Sequence, residues 1–296
     1  MRNLITQFLH YISVERGFSP RTIKAYEHDL NKFVGFLEAT NKTNIESVSR
    51  DDVRKFISRC AQTNGAVTYA RKLSSIKSFF KYLKRDGVIS DNPAADIETP
   101  KLPQREPSYL TQEEYQKLLS TVKRAADPYY LARDLAVVTT FLGTGVRLSE
   151  LVGLTLNSVN LQASQESIRV QGKGNKERIV PLNKEVVAAL QKYIKGRPEV
   201  ETNHLFVSRL GNGLCAGSVY HLIKRYIKEA GIKKEKVGVH TLRHTFGASL
   251  LNSGANLVVI QELLGHKKLE TTRKYLHINN IDLRNAVEKL VLTTKQ

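Results

Sequence analysis

Residues 98–109 read ETPKLPQREPSY, and this stretch divides the chain. Pro100, Pro103 and Pro107 fall within eight residues. Proline has no amide hydrogen to give and a fixed φ, so no helix can run through them; an extended strap is the expected conformation. Just beyond, Thr111 is followed three residues later by Glu114, the pattern of a capping box that opens a new helix. The expected organisation is a helical domain over residues 1–98, a proline-containing linker over 99–110 and a second domain over 111–296.

Upstream of the strap, apolar residues recur at helical spacing. Residues 3–16 carry Leu4, Ile5, Phe8, Tyr11 and Ile12 on one stripe. Ser19 and Pro20 mark a helix start, a capping residue before proline at the first helical position. The helix that follows aligns Ile23, Tyr26, Leu30, Phe33, Val34 and Leu37. A third helix opens at Ser49, with Asp51 and Asp52 in its first turn. The fourth, over residues 67–85, buries Leu73, Ile76, Phe80 and Leu83. Its remaining positions hold Arg71, Lys72, Lys77, Lys81, Lys84 and Arg85. Such a face suits a phosphate backbone; the plainer reading is a solvated charged face.

Downstream, residues 127–142 read as a long buried helix. Residues 167–170 and 177–180 alternate around GKGNK and form a hairpin. Further helices are expected near 184–195, 216–230, 240–253, 256–264 and 280–292. The whole is therefore a two-domain, mainly α protein, a four-helix domain followed by a mixed helical domain with a small antiparallel sheet.

Composition narrows the partners. The chain has 296 residues, 41% of them hydrophobic, so a sizeable core is expected. Its formal net charge is +18. Residues 1–105 hold 18 Lys and Arg against 11 Asp and Glu, and the rest of the chain is basic too. A polyanion follows, nucleic acid before an acidic membrane surface, with both domains expected to clamp a duplex. No apolar run approaches the ~18 to 20 residues that span a bilayer. The first segment lacks the apolar core and small-residue cleavage site of a secretory signal. Cys60 and Cys215 are too few for a disulfide framework and lack zinc-site spacing. A cytoplasmic, nucleoid-associated location is expected.

Chemistry concentrates in the second domain. Arg147 lies in GTGVRLSEL, Lys173 in GKGNKER, His240 and Arg243 in HTLRH, His266 in LLGH and Tyr275 in TTRKYLH. Cutting a DNA strand by transesterification adds charge to the non-bridging phosphate oxygens and expels a basic sugar oxygen. Two arginines can each fork a phosphate. Lys173, on a glycine-flanked turn, is the candidate acid for the leaving 5′ oxygen. His240 and His266 can donate to phosphate oxygens or accept the tyrosine proton. Tyr275 is the candidate nucleophile. Glu150, one turn after Arg147, either orients that arginine or simply pairs with it along the helix. His244 reads as a hydrogen-bonded core residue. The two histidines four apart resemble a zinc-protease pair, but Thr241 stands where the glutamate would be, so no metal is expected.

These six residues, in this order and spacing, resemble the tyrosine recombinases, or phage integrases, and most of all their Xer-type members. The resemblance covers nearly the whole chain. It implies a SAM-like core-binding domain, a catalytic domain, and Arg147, Lys173, His240, Arg243, His266 and Tyr275 as the catalytic set. It further implies a 3′-phosphotyrosine intermediate, a four-way DNA junction and no requirement for metal, ATP or other cofactor. The implied partner is double-stranded DNA with a specific core site. Two duplexes would be held by a homotetramer, or by a heterotetramer with a second recombinase, with an activating protein possible in either case. Leu283, Val287, Leu290 and Val291 line one face of the helix near 280–292, the segment that docks on a neighbouring subunit in the family. With no arm-binding domain ahead of the core-binding one, a simple recombinase is expected. The alternatives are a type IB topoisomerase and a catalytically silent DNA-binding relative.

Overall fold

The computed structural model describes residues 1–63, 65–99, 108–172, 176–235, 237–266 and 270–273. The chain forms two compact units, Met1–Gln104 and Arg105–Gln296. The strap at 100–107 lies outside the described residues, as does the helix expected near 280–292.

The first unit is built from four helices: α1 (Arg2–Val14), α2 (Pro20–Ala39), α3 (Arg50–Thr63) and α4 (Ala66–Arg85). Local chemistry sets their starts. Ser19 Oγ accepts the Thr22 amide at 3.3 Å, with Pro20 next in the chain. Ser49 and Asp52 bond reciprocally, the Ser49 amide to Asp52 Oδ2 at 2.9 Å and the Asp52 amide to Ser49 Oγ at 3.3 Å. The apolar stripes meet in one core, where Phe8 packs edge-on against Phe79 at 5.5 Å and Phe33 against Phe56 at 5.1 Å. Edge-to-face pairs of this kind add about 1 kcal/mol beyond the area they bury.

The second unit opens with α5 (Gln112–Ala125), capped by Thr111 and Glu114: the Glu114 amide reaches Thr111 Oγ1 at 3.2 Å and the Thr111 amide reaches Glu114 Oε2 at 2.8 Å. It continues through α6 (Leu131–Thr144), α7 (Leu148–Val152), β1 (Val159–Asn160), β2 (Ser167–Gln171) and β3 (Glu177–Pro181). The chain then runs through α8 (Lys184–Lys195), α9 (Ala216–Glu229), α10 (Val239–Asn252), α11 (Leu257–Leu264) and α12 (Glu270–Arg273). The sheet is antiparallel in the order β1-β2-β3, with Ser167 opposite Pro181 and Gln171 opposite Glu177. Ile168, Val170 and Val180 turn one face into a core shared with Phe141, Leu190 and Tyr226.

The structure departs from the sequence reading at several places in the backbone, among them α12, which four residues are too few to announce. α6 begins at Leu131 rather than at residue 127, because the Asp127 side chain takes the Tyr129 amide at 2.9 Å and holds 127–130 in a turn. β1 joins the hairpin as a third strand; two residues are too short to show a period. α7 is one turn and a half, also below the length at which periodicity speaks. Among the described residues, no helix is long and apolar enough to cross a membrane.

Candidate active site

Two glycines prepare the site. Gly145 ends α6 and Gly265 ends α11, both in the left-handed region at φ 60° and 62°. Any Cβ at Gly145 would lie 2.4 Å from Phe246 Cδ1, so this turn has no room for a side chain. Beyond Gly145 the chain passes through Val146 to Arg147, which sits at the start of α7. Beyond Gly265 comes His266.

Glu150 holds Arg147 from two directions. Its Oε2 accepts the Arg147 amide at 2.7 Å, and its Oε1 accepts Arg147 Nη1 at 2.6 Å. Arg147 Nη2 donates to the Gly265 carbonyl at 2.9 Å. Arg243, buried on α10, donates through Nη1 to the Gly145 carbonyl at 2.5 Å and through Nη2 to the Leu264 carbonyl. The two arginines expected to grip one phosphate are thus anchored to successive carbonyls at the end of one helix. His266 follows directly: its Nδ1 lies 3.0 Å from Thr272 Oγ1, and its carbonyl accepts Gln261 Nε2 at 3.0 Å. Thr272 is fully buried on α12, three residues before Tyr275. His240 is exposed on α10, one turn before Arg243; His244, next to Arg243 and one turn after His240, is half-buried. Lys173 and Tyr275 lie outside the described residues; Gly172 and Lys176, which flank the Lys173 turn, are joined by a 2.7 Å backbone bond. A cleft of about 740 Å³ opens between these elements, lined by Arg147, Gly172, Lys176, Arg178, Gly265 and His266 among others.

A residue that sequence reading passed over completes the arrangement. Arg178 on β3 forks the Glu150 carboxylate, Nη1 to Oε1 at 3.0 Å and Nη2 to Oε2 at 2.9 Å, while its Nε donates to the Leu263 carbonyl at 2.9 Å. The signal was present. Arg178 lies two residues before Val180, so strand alternation turns both to the same, buried side, and an inward charge needs a partner. Burial pushes the Glu150 carboxyl up, but the bonds from Arg178 and from the Arg147 amide and side chain outweigh it and hold the pKa at about 2.

That depression has a measurable consequence. The ionised carboxylate is favoured by the fold, so its contribution is complete above the unfolded value of ~4.3 and is lost as pH falls towards the folded value. Glu150→Gln is expected to lower unfolding free energy near neutral pH by about 3 kcal/mol and to flatten its pH dependence between about 4.5 and 2. Urea titrations at a series of pH values check this; equal slopes in both proteins would contradict it.

The basic residues of α4 are more engaged than their spacing suggests, and one expectation is corrected. Lys72 is not on an open face: it is buried, with Nζ 3.6 Å from Cys60 Sγ, because α3 packs over that side of α4. Arg71 pairs with the fully buried Asp29, whose carboxyl burial pushes up against the pull of Arg71 and Lys72. Lys77 donates to the Ala95 carbonyl at 3.1 Å. Lys84 pairs with Asp91 at 2.8 Å, and Arg85 pairs with Asp86 while lying 4.1 Å over the Tyr11 ring. Lys81 is exposed. The ion pairs of Lys84 and Arg85 are exposed ones that add little to stability, and a phosphate can replace them at little cost.

A helical unit followed by a unit that gathers arginines and a histidine at one helix end, with a tyrosine shortly beyond, defines a phosphoryl-transfer protein of the strand-exchange class. Comparison with known proteins agrees. Residues 108–281 match the model of the phage integrase family, and residues 5–87 match the phage integrase N-terminal SAM-like domain. The tyrosine recombinase XerD of Listeria monocytogenes is 38% identical, the match covering 98% of each chain. The tyrosine recombinase XerC of Thermodesulfovibrio yellowstonii is also 38% identical, covering 96% of this chain and 93% of its own. Among solved structures, XerA recombinase aligns over 97% of this chain and 98% of its own, with 30% identity and a TM-score of 0.55. XerH bound to its difH DNA, in a post-cleavage complex, shares the fold with a TM-score of 0.77 over 96% of this chain and 84% of its own, at 24% identity. The chain belongs to the phage integrase family, and it is a tyrosine-type site-specific recombinase.

Proposed function

We propose that this chain cuts and rejoins double-stranded DNA at a specific core site through Tyr275. The phenol oxygen attacks the scissile phosphorus, a P–O bond to Tyr275 forms, and the bond to the 5′ oxygen breaks. Arg147 and Arg243 hold the non-bridging oxygens as their charge grows. Lys173 gives a proton to the departing oxygen, and His240 or His266 takes the one released by the phenol. The free 5′ hydroxyl of one duplex then attacks the phosphotyrosine of the other, which restores the tyrosine and makes a junction. Bond energy is kept in the ester, so the exchange needs no external energy source.

The observation that carries this reading is the anchoring of Arg147 and Arg243 on adjacent carbonyls at the end of α11, next to a histidine bonded to the helix that leads to Tyr275. Three exposed basic residues of α4, Lys81, Lys84 and Arg85, supply sequence-independent contacts to the DNA backbone. Four protomers hold two duplexes in the working assembly, with the segment near 280–292 docked on a neighbour, and the protein resides with the nucleoid.

Incubation with genomic DNA of the source organism in EDTA, an SDS quench and sequencing of the protein-linked ends tests the proposal. Discrete 3′-linked ends at recurrent sites are expected. Good DNA binding with no linked ends, alone or with cell extract added, would overturn it.

A further inference from the structure

Arg178 and Glu150 share a geometry that the catalytic roles above do not account for. The Glu150 carboxylate accepts four hydrogen bonds, two on each oxygen, from Arg147 and Arg178. Two oxygens offer about four acceptor positions, so the group is saturated and cannot pivot. Its side chain is 3% exposed and that of Arg178 14%. Arg178 also closes the series at the end of α11: Leu263, Leu264 and Gly265 give their carbonyls to Arg178, Arg243 and Arg147 in that order. Only Arg178 among these three starts from the hairpin whose turn carries Lys173.

We propose that Arg178 is a positioning residue, which sets the Arg147 guanidinium through Glu150 and fixes the hairpin against the end of α11. This rests on the reading of Arg147 as a phosphate ligand. With Arg178 gone, each oxygen of Glu150 keeps one bond, both to Arg147, and the carboxylate can rotate with its remaining partner. The hairpin also loses its tie to Leu263. None of the residues assigned to the phosphate has been removed, yet Arg147 is left loosely held. Lysine at this position brings one point charge and cannot span both oxygens, so it restores the charge without restoring the fork.

Two measurements on the full-length chain test this. In the first, arginine side-chain NMR follows the Nε–H signal of Arg147, assigned by its disappearance in Arg147→Lys. The signal is expected to report a rigid group in the wild type and a mobile one in Arg178→Gln and Glu150→Gln, with Arg178→Lys between. An Arg147 as rigid in Arg178→Gln as in the wild type overturns the proposal, whatever DNA cleavage does. In the second, a duplex carrying a mapped cleavage site is used at saturating concentration. Single-turnover formation of the covalent complex is expected to slow by up to about 10²-fold in Arg178→Gln, with DNA affinity changed by less than about threefold. The double variant Arg178→Gln/Glu150→Gln is expected to be no slower than Glu150→Gln alone, since both act on one group. Additive losses would show that Arg178 does not act through Glu150. If the wild type cleaves nothing while Arg147 loosens in Arg178→Gln, the recombinase reading fails and the positioning role stands.

Discussion

Tyr275→Phe is expected to bind DNA as the wild type does and to form no covalent complex. The substitution removes one oxygen and keeps the ring, so folding and DNA contacts should be preserved. Loss of the nucleophile should reduce strand cleavage by at least about 10⁴-fold, the scale on which removal of a covalent nucleophile acts elsewhere. Three described tyrosines of the second unit are poorly suited to replace it. Tyr226 is buried and donates to Asp134 Oδ2 at 2.6 Å, and burial together with that carboxylate raises its pKa. Tyr115 is pushed up to about 12 by burial and by Glu185. Tyr193 is buried and its hydroxyl accepts the Val207 amide at 3.1 Å. Burial raises the pKa of all three, and a phenol whose anion is disfavoured is a poor nucleophile. SDS gels of protein-bound, end-labelled DNA read the result. Covalent product from Tyr275→Phe at the wild-type level would remove Tyr275 from the chemistry.

Arg243→Ala is expected to slow cleavage by about 10² to 10³-fold, as loss of a charge-stabilising donor does in other active sites. It should also cost stability, which sets it apart from Arg147→Ala. Arg243 is 6% exposed, and its guanidinium satisfies the carbonyls of Gly145 and Leu264. Truncation leaves those acceptors without it in a buried place, a penalty of about 1 to 3 kcal/mol each where water cannot enter. The Arg147 side chain is 37% exposed, so water can reach what its removal uncovers. Thermal melts beside single-turnover rates separate the two effects: Arg147→Ala should lose rate with a small shift in melting temperature, Arg243→Ala should lose both. A wild-type rate in the folded fraction of either variant would take that arginine out of the site.

Much of this was legible in the sequence because its signals are local. Ser19-Pro20 and Thr111 with Glu114 announce helix starts through bonds made within three residues, and the structure forms those bonds. Glu150 was within reach, since one helical turn suffices to bring it to Arg147. Lys72 was misjudged because spacing along α4 distinguishes the stripe from its opposite side but does not show how widely α3 covers the flank. Strand alternation marks Arg178 as an inward charge, but its partners, Glu150 and Leu263, lie 28 and 85 residues away, and no local pattern names them. What joins the site together is therefore less readable than the residues that do its chemistry.

The acceptors that hold the three arginines at the end of α11 are main-chain oxygens, and this bears on how the site tolerates sequence drift. A side-chain acceptor disappears with one codon change; a carbonyl stays under any substitution that leaves the backbone path alone. Leu263 and Leu264 are thus free to vary in identity, within what the core allows, without uncoupling the arginines. Gly265 is the exception. Its backbone is left-handed, and a Cβ there would come within 3.0 Å of Arg178 Nη1. Mutational sensitivity at this helix end should fall on one glycine and three arginines, with the intervening positions comparatively permissive.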